Sequence, residues 1–210
     1  YGTFSLDAGG AWTYTMSSAH DAFVAGSTYT DSFTASTADG TTRRVTVTIT
    51  GSNDAAQIGG TDTADLTETD AAQSTGGTLT VSDVDSPATF VVQSAVAGSN
   101  GYGKFTIAAD GTWTYVMDNA HDEFVGGQDY TDTITVATAD GTTQVLTVTM
   151  HGTNDAAVIT GTATDSVLEA GGVANGTPGD ASASGDLDAA DVDSSNAFVV
   201  QSAVAKTYGT

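Results

Sequence analysis

The stretch Ala139-Asp140-Gly141-Thr142-Thr143 through Gly152-Thr153-Asn154-Asp155-Ala156-Ala157 occurs twice, and nothing else in the chain constrains its fold as strongly. The earlier copy runs from Ala38-Asp39-Gly40-Thr41-Thr42 to Gly51-Ser52-Asn53-Asp54-Ala55-Ala56, displaced by 101 positions. Extended without a gap, Tyr1 to Ala56 falls on Tyr102 to Ala157 with 33 identities in 56 positions. A chain of this kind folds as an array of like units, so each residue is read first for architecture and then for chemistry.

Beyond the shared pairs Ile58/Ile159 and Glu68/Glu169, the second copy carries seven extra residues in a Gly/Ala/Ser-rich stretch, Gly171 to Ser184. That composition reads as a lengthened surface loop. The copies rejoin at a displacement of 108, where Asp83-Val84-Asp85-Ser86 meets Asp191-Val192-Asp193-Ser194 and the octet from Phe90 to Ala97 recurs as Phe198 to Ala205. Tyr208-Gly209-Thr210 then repeats Tyr1-Gly2-Thr3, giving a larger period of 207 residues. The expectation is a slice of a longer, nearly periodic chain.

Alternation fixes the secondary structure as β. Phe105 and Ile107 lead to a turn at Ala109-Asp110-Gly111, after which Trp113, Tyr115 and Met117 share one face: a hairpin with an aromatic inner side. Tyr130, Ile134 and Val136 form the next inner face, Asp140-Gly141 turns the chain, and Leu146, Val148 and Met150 return between threonines. Leu79 and Val81 mark a strand before Asp83, and Phe90 to Val96 another. Between the hairpins, Asp118 to Gly127 reads as a single helical turn with Asp118 as N-cap. About seven short strands per repeat, with turns every 8 to 12 residues, predict an all-β fold, an antiparallel two-sheet β-sandwich in tandem repeats.

Charge narrows the partners. Arg43, Arg44, Lys104 and Lys206 stand against 26 acidic residues, a formal charge of -22, so the field repels nucleic acids and anionic membranes. An excess of carboxylate with no cysteine points to hard cations held by oxygen, calcium above all, although acidity is also a solubility device. No apolar run approaches the length of a membrane span, so membrane insertion is not expected.

The ordered anchors Gly103-x-Phe105, Asp110-Gly111-x-Trp113-x-Tyr115, Tyr130-x-Asp132-x-Ile134, Asp140-Gly141, Val148 and Gly152-Thr153-Asn154-Asp155-Ala156, preceded by Asp83-Val84-Asp85, resemble the VCBS repeat. These cadherin-like or immunoglobulin-like modules are strung in tandem in giant secreted bacterial adhesins and biofilm proteins, including those of the RTX type. The resemblance covers essentially the whole chain. It departs at the joint, where the family often has Asn-Asp-Ala-Pro and this chain has Ala56 and Ala157, which predicts a less stiff connection unless metal braces it.

The family phase divides the chain into a carboxyl-terminal half-repeat at 1–56, a complete sandwich at 57–157, and an amino-terminal half-repeat at 158–210. Neither half alone covers both sheet faces, so each is expected to be completed by the complementary half of a neighbouring copy, within the parent chain or between molecules in a homopolymeric fibre. Cadherin-like joints gather calcium ligands from an early-strand Glu, an Asp-x-Asp pair and the linker. The resemblance therefore implies Glu68, Asp83 and Asp85 with Asn53 and Asp54, and Glu169, Asp191 and Asp193 with Asn154 and Asp155. The spacing of Asp83 and Asp85 allows both to face one side of an extended segment. The competing reading makes the Asp-Val-Asp and Asn-Asp pairs turn formers bonded to their own backbone.

Other chemistry is weaker. His20-Asp21 and His121-Asp122 are adjacent pairs on expected surface turns, not a catalytic constellation, and His151 at a strand end reads as solvated. Trp12, Tyr14, Trp113 and Tyr115 are the residue types of a sugar-stacking platform, yet alternating aromatics in a two-sheet domain belong to the core first. Threonine-rich outer faces raise surface binding but are also ordinary strand exteriors. The sequence thus points to a non-catalytic, calcium-assisted structural repeat of an extracellular, cell-surface adhesin or fibre. The alternative is a module that binds carbohydrate or a cell surface through its aromatic face or its long loop.

Overall fold

The computed structural model describes residues 1–180 and 182–202. The recurrence at 198–205 therefore extends past the described residues, and the closing Tyr208-Gly209-Thr210 lies outside them, as does the end of the half-repeat at 158–210. Two compact units are formed, one from Tyr1–Asp65, Ser74–Asp118 and Thr131–Thr149, the other from Leu66–Gln73, Asn119–Tyr130 and Met150 onward. Among the described residues no helix is long and apolar enough to cross a membrane.

Residues 1–56 form two hairpins. β1 (Gly2–Leu6) pairs with β2 (Trp12–Met16), and β3 (Thr28–Ser36) with β4 (Thr42–Thr50), all antiparallel. The stretch 57–157 follows with β5 (Gln57–Gly60), β6 (Thr63–Thr67), β7 (Ser74–Ser82), β8 (Gln93–Ala97), β9 (Gly103–Ile107), β10 (Thr112–Met117), β11 (Asp129–Ala137) and β12 (Thr143–His151). One sheet has the order β5-β7-β10-β9-β8 and the other β11-β12-β6. Leu79, Phe105, Ile107, Trp113 and Tyr115 of the first and Ile134, Val136, Leu146 and Val148 of the second are buried, as alternation on two facing sheets requires. The last stretch pairs β13 (Val158–Gly161) with β14 (Leu187–Ala190), in the register with which β5 meets β7.

Both expected hairpins of the complete repeat form, and their turns close as the Asp-Gly pairs require: Gly111 and Gly141 sit at φ 86° and 93°. Two expectations change, and one loop gains local structure. The strand expected over Phe90 to Val96 begins only at Gln93, because Phe90 donates its N–H to Ala109 and Val91 to Ala137, tying this segment to both hairpins instead of to one neighbour. The stretch from Asp118 to Gly127 is not helical. His121 takes φ 60°, its carbonyl accepts the Phe124 amide, and a second turn closes from Gln128 to Val125. The long loop from Gly171 carries a 3-10 turn at Val173–Asn175 and a bridge between Gly171 and Thr177.

Inside the sandwich lies a carboxylate that alternation alone would make a defect. Asp132, on the inner face of β11, is wholly buried. Its Oδ1 accepts the Asn100 amide (2.7 Å), and its Oδ2 accepts the amides of Tyr102 (3.1 Å) and Gly103 (3.2 Å) and the Tyr115 hydroxyl (3.1 Å). Four donors satisfy the charge, which is the condition for burying one. The same carboxylate recurs as Asp31, which accepts the N-terminal ammonium, the Gly2 amide and the Tyr14 hydroxyl.

Candidate metal centre at the acidic joints

At the joint after Asn53, the chain bends instead of running extended over Asp83 and Asp85. Asp83 Oδ1 accepts the amides of Asp85 (2.9 Å) and Ser86 (2.7 Å), so this residue is the turn former. The bend turns Asp85 inward, where it is buried and neither carboxylate oxygen meets a hydrogen-bond donor; Asp83 Oδ2 is buried and unmet as well. Burial first, then the neighbouring Asp83 and Asp54 carboxylates, pushes the Asp85 carboxyl above its ordinary range, against the opposing pull of the nearby Asp54 backbone amide, which lies outside hydrogen-bond geometry. Asn53 lies against the bend through Ser86 (3.5 Å), and Asp21, Asp54 and Asp83 line one cavity of about 330 Å³.

The joint after Asn154 repeats this construction. Asp191 Oδ1 accepts the amides of Asp193 (3.2 Å) and Ser194 (2.9 Å), and Ser194 reaches Asn154 (3.4 Å). Asp193 is buried, with one oxygen near the Gly126 amide (3.4 Å) and the other unmet. Among the described residues, Glu68, Asp122 and Asp155 bring one carboxylate oxygen each within 4.8 Å of one another. Glu68 is 1% exposed; its Oε2 accepts the Thr153 amide (3.0 Å) and hydroxyl (2.7 Å), while Oε1 has no donor. Burial, then the charges of Glu68, Asp122, Asp70 and Asp193, raises the Asp155 carboxyl.

The two sequence readings of the acidic pairs thus divide between residues: the first Asp of each Asp-Val-Asp makes the turn, and the second enters the joint. Glu68 changes group, standing with Asp155 and not with the Asn53 joint to which the resemblance assigned it. Glu169, its counterpart, is exposed. Sequence reasoning missed Asp122 and its counterpart Asp21, although both recur in His-Asp-x-Phe-Val. It also missed Asp140 beyond its turn role. Asp140 Oδ2 accepts the amide of Ala56 (3.0 Å) and the side chain of Asn53 (3.3 Å), while Oδ1 accepts the Thr142 amide (3.0 Å) and the Thr138 hydroxyl. Those donors, Thr138 first, hold its carboxyl far below the usual range. Alanine at 56, where the resemblance leads one to expect proline, therefore supplies an N–H that fastens this stretch to the β11–β12 turn.

All these groups are hard oxygen donors, which is the chemistry of calcium and not of softer metals. The histidines are placed differently. His121 is buried, pairs with Glu123 (2.8 Å) and stacks on Phe124, whereas the His151 side chain is 44% exposed, as expected, and pairs at the surface with Asp129 (2.6 Å). Trp113 and Tyr115 are sealed in the core, so in the complete repeat they present no sugar platform.

Residues 53–152 match the family model of the bacterial cadherin-like domain, in agreement with the antiparallel β-sandwich formed there. No curated protein matches the chain.

Proposed function

We propose that this chain is a structural extender of a large secreted bacterial adhesin or biofilm fibre, of the VCBS-repeat type, whose acidic joints are braced by calcium. What carries the reading is the set of buried carboxylate oxygens that meet no donor: Glu68 Oε1, Asp155 Oδ2 and Asp193 Oδ1 at one joint, Asp83 Oδ2 and both oxygens of Asp85 at the other. A folded protein leaves few such groups unmet, and carboxylates gathered this closely repel one another unless a cation sits among them. At the second joint Glu68, Asp122, Asp155 and Asp193 would hold the ion, with Asn154 and Asp191 shaping the loop around it. At the first, Asp21, Asp54 and Asp85 would do so, with Asn53 and Asp83 in the shaping role.

The mechanism is mechanical. The sandwich holds distance, and an occupied joint fixes the angle between one module and the next. The cadherin-like fold and the closed aromatic core favour this over catalysis and over glycan binding. At a tenfold excess of calcium over its dissociation constant, one site adds about 1.4 kcal/mol. For a domain near 100 residues that is a rise of about 6 to 11 °C in melting temperature. Calorimetry of the chain in millimolar calcium and in chelator measures it, with small-angle scattering reporting joint flexibility; no change in either quantity rejects the reading.

A further inference from the structure

Glu68 stands just past β6, where its amide donates to the His151 carbonyl (2.9 Å) and fixes its backbone beside the end of β12. Its carboxylate is gripped on one side only. Thr153, just beyond β12, gives Oε2 both its amide (3.0 Å) and its hydroxyl (2.7 Å). The hydroxyl also lies 3.2 Å from the Glu68 carbonyl oxygen, but its single proton goes to the nearer, charged acceptor. Each carboxylate oxygen offers roughly two lone-pair sites, so on Oε2 both are filled. Oε1 is left buried and unmet, in the group formed with Asp122 and Asp155.

We propose that Thr153 is a positioning residue for the cation at this joint: by holding Oε2 it turns Glu68 so that Oε1 alone ligates the ion. The proposal rests on the calcium reading and adds to it a residue that acts without touching the ion. Asp193 is divided in the same way, one oxygen toward the Gly126 amide (3.4 Å) and the other buried and unmet. In both carboxylates one oxygen is committed to the protein and the other is free for a metal. A carboxylate turned in advance has less freedom to lose when the ion arrives. With Glu68 limited to one oxygen, the remainder of the six to eight or so that calcium takes must come from the other carboxylates and from water, which reaches the site beside the exposed Asp122. The earlier copy has Ser52 at the position of Thr153, which keeps the hydroxyl.

Thr153→Val keeps the side-chain shape and the amide and removes only the hydroxyl. Partners that orient a ligand contribute about 10- to 100-fold in metal affinity, and with the amide retained the lower figure applies. Glu68 is one of three glutamates in the chain. Its carboxylate can therefore be followed by infrared difference spectroscopy of the full chain with isotope-labelled glutamate, the band being assigned by its loss in Glu68→Gln. Calcium chloride, measured against chelator, should give the wild type the wide separation of carboxylate stretches that marks ligation through one oxygen. The midpoint of that change in a calcium titration should rise about tenfold in Thr153→Val and return to the wild-type value in Thr153→Ser. A threonine that only stabilised the fold would change melting in chelator and leave both the separation and the midpoint where they were.

A narrow separation in the wild type, the mark of two-oxygen ligation, overturns the proposal with no substitution, so it stays testable if Thr153→Val does not fold. A midpoint unchanged in Thr153→Val overturns it too, as does one equally raised in Thr153→Ser. Calcium that raises the melting temperature and leaves the Glu68 band unmoved refutes this inference alone. If neither melting nor the band responds to calcium, the calcium reading fails and the role of Thr153 fails with it.

Discussion

Replacing Asp132 with Asn removes one charge from the centre of the sandwich and changes almost no volume. The three donors on Oδ2, from Tyr102, Gly103 and Tyr115, would keep an amide oxygen, but each bond would lose its charge assistance. Bonds to charged groups contribute about 1.5–3 kcal/mol and neutral ones about 0.5–1.5, so about 1 kcal/mol is lost at each of the three. The Nδ2 group would then face the Asn100 amide, donor against donor, leaving both unmet for about 1–3 kcal/mol more. The site cannot relax around this, because a Cβ on Gly98 would already overlap the carboxylate. The sum is about 4–6 kcal/mol, a large share of the roughly 5–15 kcal/mol stability of an ordinary domain. Urea denaturation followed by Trp113 fluorescence in a Trp12→Phe background measures it, with Asp31→Asn as the comparison that leaves the complete repeat untouched. A loss below about 1 kcal/mol would refute the claim that this carboxylate anchors the loop from Gly98 to Gly103 to the hairpin.

Trp113→Ala should cost about 3–5 kcal/mol and broaden or abolish the melting transition, since the ring is buried and its N–H bonded to Thr61; a stable variant that had instead lost glycan binding would favour the binding-module reading. Gly141→Ala should lose about 1–2 kcal/mol through backbone strain alone, and Gly111→Ala about 2–5 because the Leu79 carbonyl must also shift, both read from urea midpoints. Burial, then Asp132, raises the Tyr115 phenol, so its protonated form is favoured in the fold. That stability is fully present below the unfolded value of about 10 and is lost as pH rises above it; Tyr115→Phe should flatten the alkaline arm of a melting-temperature profile. Ala56→Pro removes the N–H that Asp140 accepts, and should raise the Asp140 carboxyl toward its ordinary range in an NMR titration and speed amide exchange at the joint.

The hairpins were legible in the sequence because their determinants are local. Asp-Gly turns and strict alternation place Trp113, Tyr115, Leu146 and Val148 on inner faces without reference to the rest of the chain. The passage from Phe90 to Gln93 was not, since its amides bind Ala109 and Ala137, both distant in sequence, and no local pattern encodes that choice. His121 resisted for another reason: a helical reading cannot anticipate a positive φ at a residue with a side chain. At the joints, the acidic residues could be named but not grouped. Glu68 is 85 residues from Thr153, and only the closed fold puts them in contact. Asp132 was visible as a motif position, but a charge on an inner face acquires a meaning only when its four donors are known.

The two copies of the aromatic hairpin separate what the strand pattern determines from what the fold adds. β1–β2 keeps the register of β9–β10 although Trp12 is left half open, so pairing is set by the turn and the cross-strand contacts. Burial is supplied by a stretch that belongs to the preceding half of the repeat. In the stretch 57–157 the core closes only where its early and late strands meet, and the clustered carboxylates come from both. Glu68 enters from the early strands and Asp122 and Asp155 from the late ones, so the proposed cation would tie the two ends of the stretch 57–157 together. Calcium should then raise the melting of the complete repeat and stiffen the joint together, and Glu68→Gln should remove both effects at once. A variant that lost the stiffening and kept the full gain in melting would show that the two are separate.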